Sequence, residues 1–241
     1  QGKDIPKLNK ITHNLSSSFK TDNFENILGK AQDGYAISKD ELKDLFKTSG
    51  KYINDIAEVA NELNESIHQD KVTFVKNRNI NYTNQCYFKC GFCGFSKGPK
   101  SFDLKEKPYN LEPQEVVARS VEAYKDGASE VCLQGGIHPE YTGHFYLDLV
   151  QKIKSEVPDL HIHGFTPLEI WQGAETINLS VEDYLTLLKE AGLNTLPGTA
   201  AEILDNRIRE FLCPDKITAE QWGYVMEVAH SLGIKSTATI M

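Results

Sequence analysis

Three cysteines fall within one short stretch, Cys86-x-x-x-Cys90-x-x-Cys93. Thiolates at this spacing can occupy three irons of a 4Fe-4S cube and leave the fourth iron open to the amino and carboxylate groups of a ligand. That open position makes such a cluster catalytic. The competing chemistry is a structural zinc site, which usually takes four ligands in two pairs. No second cysteine pair is present, since Cys132 and Cys213 stand alone, although a histidine could complete a Cys3His set. A redox pair made of Cys90 and Cys93 would leave Cys86 without a role. Five cysteines, an odd number with three of them clustered, do not form the even, spread framework of a secreted disulfide domain.

Other groups with chemical reach stand just after β-prone runs. Gln134-Gly135-Gly136 offers backbone that a ligand can approach closely, although a plain tight turn also uses glycine. His138 follows directly and could face a pocket. His161 and His163, two apart, share one face of a strand. That spacing could suit a metal, but no acidic residue accompanies them in the run, so His161 is expected to be a hydrogen-bonded core residue. His163 and Glu169 are candidates for polar substrate contacts. The segment from Cys213 to Lys216 reads as a structural turn between helices, with Cys213 outside the cluster.

These groups need a frame that brings strand ends together. From residue 72 onward, short β-prone runs at 72–82, 130–134, 161–165, 194–196 and 236–241 alternate with amphipathic helices at 113–125, 144–156, 181–191 and 219–232. Repeated βα units imply a parallel sheet, and the residues after each strand lie at its C-terminal edge, where such folds place ligands. Periodicity does not choose between an open doubly wound sheet and a barrel. Pro113, Ser180 and the glycines at 127, 192 and 233 are the expected helix starts and stops. Upstream, a polar stretch at 1–22 reads as a flexible arm and 23–70 as a helical region. Within it Ser38 and Glu41 form a capping box, and Ile53, Ile56, Ala57, Ala60, Leu63 and Ile67 recur at helical spacing.

The 241 residues, with 40% apolar and 25% charged, suit one sizeable core with an extension. A net charge of −8 offers no basic surface for nucleic acid, and no apolar run approaches the length needed to cross a membrane. A cytoplasmic protein is expected. A chain that begins at Gln1 and stops at Met241 inside an apolar run is expected to be incomplete.

The cysteine spacing, with Phe92 before the last cysteine and the loop straight after the first strand, resembles the radical S-adenosylmethionine (SAM) superfamily. The resemblance implies an α/β fold: a partial (βα) TIM-type barrel with an N-terminal helical extension, its core spanning 71–241 and truncated at the fifth strand. It also implies two cofactors, the 4Fe-4S cluster and SAM, whose reductive cleavage yields a hydrogen-abstracting 5'-deoxyadenosyl radical. Phe92 would lie near the adenine or plug the cluster apolarly. Gln134, Gly135 and Gly136 would meet the methionyl group. Thr199 and Glu202 would hold the ribose, with helix capping as the alternative for Glu202.

The runs at 77–84, 130–139, 167–170, 196–204, 213–216 and 237–241 further resemble the tyrosine-using subunit family of FO synthase, the CofH-type 4-hydroxyphenyl transferases. That likeness implies L-tyrosine and 5-amino-6-(D-ribitylamino)uracil as substrates, an external electron donor, and a CofG-type partner subunit that closes the deazaflavin ring. Asn81, His138, His163 and Glu169 would supply polar substrate contacts. Aminofutalosine synthase and its cyclising companion of menaquinone biosynthesis share the cluster and frame. A non-catalytic metal-binding scaffold is the alternative of another class.

Overall fold

The computed structural model describes residues 21–88, 90–97 and 107–240, so most of the arm expected at 1–22 lies outside the described residues. The chain divides into two compact units, Gln1–Thr73 and Phe74–Met241. The first holds α1 (Thr21–Gln32), α2 (Lys39–Phe46) and α3 (Lys51–His68). Ser38 opens α2 with the expected capping box: its Oγ accepts from Glu41 N–H at 3.3 Å, and the Glu41 carboxylate accepts from Ser38 N–H at 2.6 Å. α1 buries Phe24, Ile27 and Leu28. Phe24 meets the Tyr52 ring edge-on at 5.0 Å.

The second unit alternates strand and helix. It contains β1 (Asn77–Asn81), α4 (Pro113–Lys125), β2 (Glu130–Gln134), α5 (Gly143–Glu156), β3 (His161–Gly164), α6 (Pro167–Thr176), α7 (Val181–Ala191), β4 (Thr195–Leu196), α8 (Asn206–Leu212), α9 (Ala219–Ser231) and β5 (Lys235–Ser236). All strand pairs are parallel and lie in the order β1-β2-β3-β4-β5. A doubly wound sheet reverses its strand order at a switch point, whereas strands that advance one by one build a barrel wall. This order therefore selects the partial barrel that periodicity left open.

Alternation divides the sheet into two chemistries. Ile80, Val131, Leu133, Ile162 and Leu196 are buried against the helices. Their neighbours face the other way, and one register row runs Asn79, Cys132, His163, Thr195 and Lys235. A barrel interior is ordinarily filled with branched apolar side chains. Here the inner row is polar.

Several boundaries differ from the sequence expectation. The first strand starts at Asn77 rather than at 72, and Val72 and Phe74 are exposed, because β2 begins only at Glu130 and offers them no partner. The fifth strand is Lys235–Ser236, after which pairing continues irregularly through Thr237 N–H to Leu196 O (3.1 Å) and Thr239 N–H to Gly198 O (3.0 Å). Helix α6 was not anticipated, although Thr166 and Glu169 form its capping box with Pro167 in the first turn.

Helices α5 and α6 approach closely at two glycines. A Cβ on Gly143 would lie 2.5 Å from the Gly173 carbonyl oxygen. Tyr184 locks the contact by donating to Gly143 O at 3.0 Å. Exchange of a helical glycine for alanine normally stabilises, so the sign here is diagnostic. Gly143→Ala is expected to destabilise by about 1–3 kcal/mol, read from urea unfolding midpoints, because backbone and not a flexible side chain must move.

Candidate functional site

The cysteine loop leaves β1 and is pinned back onto the end of β2. Gly136 N–H donates to Thr83 O at 2.8 Å and Tyr87 N–H to Ile137 O at 3.2 Å. Buried Asn84 ties the loop's return, its amide donating to Lys107 O at 3.0 Å and its oxygen accepting from Tyr109 N–H at 2.8 Å. Further on, Cys93 N–H reaches Cys90 O at 3.2 Å, and Gly91 N–H reaches Leu212 O at 2.7 Å. With the main chain satisfied by protein, the half-buried thiols Cys86, Cys90 and Cys93 are left for a ligand. Ser96 N–H donates to Cys93 Sγ at 3.4 Å, a contact of the kind that tunes a cluster sulfur.

The three cysteines open on a cleft of about 190 Å³. Its other walls are Gln134, Gly135 and Gly136 at the end of β2, and Thr199 and Glu202 beyond β4. Eight of the residues singled out in the sequence thus meet in one place. Lys216 joins them, although its segment was expected to be a plain structural turn: its ammonium pairs with Glu202 at 2.9 Å, each side chain only 12% exposed. The same ammonium faces the Phe92 ring at 5.3 Å. Glu202 does not cap a helix. It sits in a loop at φ 49°, bridged to Ile240.

The glycines are also required by the protein's own packing. A Cβ on Gly135 would fall 2.3 Å from the Tyr82 ring, and one on Gly136 would fall 2.3 Å from the Gln85 carbonyl oxygen and 2.9 Å from Cys86 Cβ. Gly136 is what allows the cysteine loop to lie on the strand end.

The remaining predicted residues do not line the cleft. Asn81 ends β1 in register with Gln134. His163 Nδ1 hydrogen-bonds with Thr195 Oγ1 at 2.7 Å, and burial lowers its pKa. His161, expected as a hydrogen-bonded core residue, meets the same hydroxyl at 2.9 Å but is not in the core, its side chain being 38% exposed. His138 is buried against the Tyr141 ring, with Nδ1 accepting from Glu140 N–H at 3.3 Å. Glu169 is enclosed, accepting from the Tyr82 hydroxyl and, at 2.7 Å, from Thr166 N–H. Both of these last two are held by protein groups.

The donors fit an iron-sulfur cube. Among the described residues no three His, Cys, Asp or Glu side chains converge on one ion, as a mononuclear zinc site demands. A cube instead takes each thiolate on a different iron, around a wider cage. Burial pushes the Cys90 thiol up to about 11, opposed by the nearby Lys216 ammonium, so metal binding there must displace a proton. Across the cleft, the buried Thr199 Oγ1 has no hydrogen-bond partner among the described residues, an orphan that a bound polar ligand would satisfy.

The model for the radical SAM superfamily matches residues 80–241. The chain is 46% identical to the 5-amino-6-(D-ribitylamino)uracil–L-tyrosine 4-hydroxyphenyl transferase of Methanopyrus kandleri, over 77% of this chain and 49% of that protein. It is 41% identical to the transferase of the same name from Methanothermobacter thermautotrophicus, over 89% of this chain and 57% of that protein. The chain therefore spans about half the length of these curated relatives. FO synthase of Streptomyces coelicolor is 41% identical over 88% of this chain and 24% of its own length. Among solved structures, HydG, a maturase of the [FeFe]-hydrogenase, superposes with a TM-score of 0.67 at 18% identity, over 92% of this chain and 47% of that one. Methylornithine synthase (PylB) gives 0.62, also at 18%, over 87% and 57%. These two share the fold.

Burial raises Glu169 from 4.5 to about 8, while the N–H groups of Thr166 and Gly135 pull the other way. Between those values the folded protein keeps a proton that the unfolded chain has released. Stability is therefore full below pH 4.5 and falls as pH rises through 8, by at most about 1.4 kcal/mol per pH unit. Glu169→Gln is expected to flatten this slope in urea midpoints taken between pH 5.5 and about 8.5; an unchanged slope would assign it to another group.

Proposed function

Because this chain belongs to the radical SAM superfamily, we propose that its protein is a transferase that cleaves the Cα–Cβ bond of L-tyrosine and joins the 4-hydroxybenzyl group to 5-amino-6-(D-ribitylamino)uracil, in deazaflavin (FO) coenzyme biosynthesis. The observation that carries the reading is the single cleft onto which the three cysteines, Gly135, Gly136, Thr199 and Glu202 all open. The names of the relatives at 41–46% identity support the choice of substrates.

Cys86, Cys90 and Cys93 would hold a 4Fe-4S cluster, which together with SAM would supply the electron and the hydrogen-abstracting group. The chain's own residues bind and orient. The backbone and side chain at Gln134–Gly136 hold the methionyl end, Thr199 gives its free hydroxyl to the ribose, and Glu202, fixed by Lys216, offers a carboxylate beside it. Phe92 reaches this corner through Lys216, whose ammonium it faces. Phe88, Ile137 and Leu168 line the cleft with apolar surface and keep water from a reactive centre. The polar inner row of the sheet, with Asn81 and His163, supplies donors and acceptors for tyrosine and the ribityl chain. A CofG-type subunit takes the product on to ring closure, and an external electron donor feeds the cluster.

The test starts with anaerobic reconstitution, which should give a brown protein with about four iron and four sulfide per chain. Cys86→Ala, Cys90→Ala and Cys93→Ala should each lose that colour, and a colourless zinc protein would overturn the cluster. The protein, expressed with any sequence that continues its reading frame, is then incubated with dithionite, SAM, tyrosine and the diaminouracil. Mass spectrometry should find deoxyadenosine and the benzylated uracil. Deoxyadenosine without the coupled product, with or without the uracil, would reject these substrates.

A further inference from the structure

Arg209 is 4% exposed, and among the described residues its hydrogen bonds end on main-chain carbonyls. Nη1 donates to Ala200 O at 3.1 Å, Ala201 O at 2.7 Å and Ile203 O at 3.1 Å. Nε and Nη2 both donate to Ile217 O, at 3.2 and 2.5 Å. A buried guanidinium is costly unless its donors are met, and here the fork is used to gather two separate pieces of backbone.

Those pieces carry one wall of the cleft. The stretch 200–203 follows Thr199 and contains Glu202, and Ile217 follows Lys216. Two residues in it, Ala200 at φ 68° and Glu202 at φ 49°, hold left-handed backbone without being glycine. Such conformations persist only where surrounding contacts determine them. The helix that bears Arg209 also touches the opposite wall, since Leu212 O accepts from Gly91 N–H at 2.7 Å within the cysteine loop.

We propose that Arg209 is a positioning residue for the adenosyl ligand: it clamps the 200–203 loop to Ile217 and so sets Thr199, Glu202 and Lys216 against the cluster loop. The inference rests on the SAM reading of the cleft but not on tyrosine or the uracil. A lysine in its place presents one nitrogen and three donors and cannot span four carbonyls. Cluster retention, which depends on the three cysteines, should survive.

The experiment uses anaerobically reconstituted protein and equilibrium dialysis of radiolabelled SAM. Arg209→Lys should keep the iron content of the parent while weakening SAM binding about tenfold or more. Hydrogen exchange of amides 199–203 should rise in the same variant. Ala200→Gly, placed in the Arg209→Lys background, adopts the left-handed backbone without strain and should recover part of the affinity. SAM binding within twofold of the parent, iron lost in step with SAM, or no recovery from Ala200→Gly would each overturn the proposal. So would an Arg209→Lys protein that stays unfolded with and without Ala200→Gly, since Arg209 would then serve the fold. Parent protein that holds iron but binds no SAM would instead overturn the cofactor reading itself.

Discussion

A hydrogen atom where a side chain would stand, at Gly136, sets the depth at which the cysteine loop lies on the sheet. The Gln85 carbonyl and the Cβ of Cys86 occupy the space that any larger residue would fill. From that contact the Gly136 N–H reaches Thr83 O, and the loop's first cysteine is fixed to the end of β2. The neighbouring Gly135 admits the Tyr82 ring, whose hydroxyl donates to Glu169. Glu169 in turn caps α6 through Thr166. One tight backbone approach is thereby continuous with a strand end, a buried acid and a helix start.

The opposite wall is built by other means. Its loop is neither strand nor helix, and it takes its shape from groups outside itself: Trp222 Nε1 on Thr199 O at 3.2 Å, Thr237 Oγ1 on Gly198 N–H at 2.9 Å, and the Arg209 fork. A glycine-set wall is rigid because nothing can enter. A wall set by donated hydrogen bonds is rigid because each carbonyl has a partner that must be lost before it moves. The cleft therefore joins a steric constraint on the side of the cysteines to a polar one on the side of Thr199 and Glu202.

What could be read in the sequence followed the range of the physics. The cysteine spacing, the capping box at Ser38 and the alternation of βα units are local, and they are found as expected. Gly135 and Gly136 were recognisable as special, but the neighbours that exclude a side chain there come from more than fifty residues away in the chain and were not. The burial of His138 and Glu169 is invisible in a sequence; the partners that hold Glu169 come from β1's exit, the end of β2 and the start of its own helix. Arg209 gave no signal at all. Its helix is short, and its acceptors are carbonyls, which carry no residue type. Thr166-Pro167-x-Glu169, by contrast, carries the local capping box that opens α6.

The two faces of the sheet divide the protein's obligations. Ile80, Val131, Leu133, Ile162 and Leu196 hold the strands to their helices, while Asn79, Cys132, His163 and Thr195 on the other face leave that packing alone. The inner row is tied instead by its own polar contacts, such as His163 to Thr195 at 2.7 Å. A lineage that inherits this wall can therefore vary the polar side chains of the inner row one at a time while the apolar face that holds the helices stays as it is.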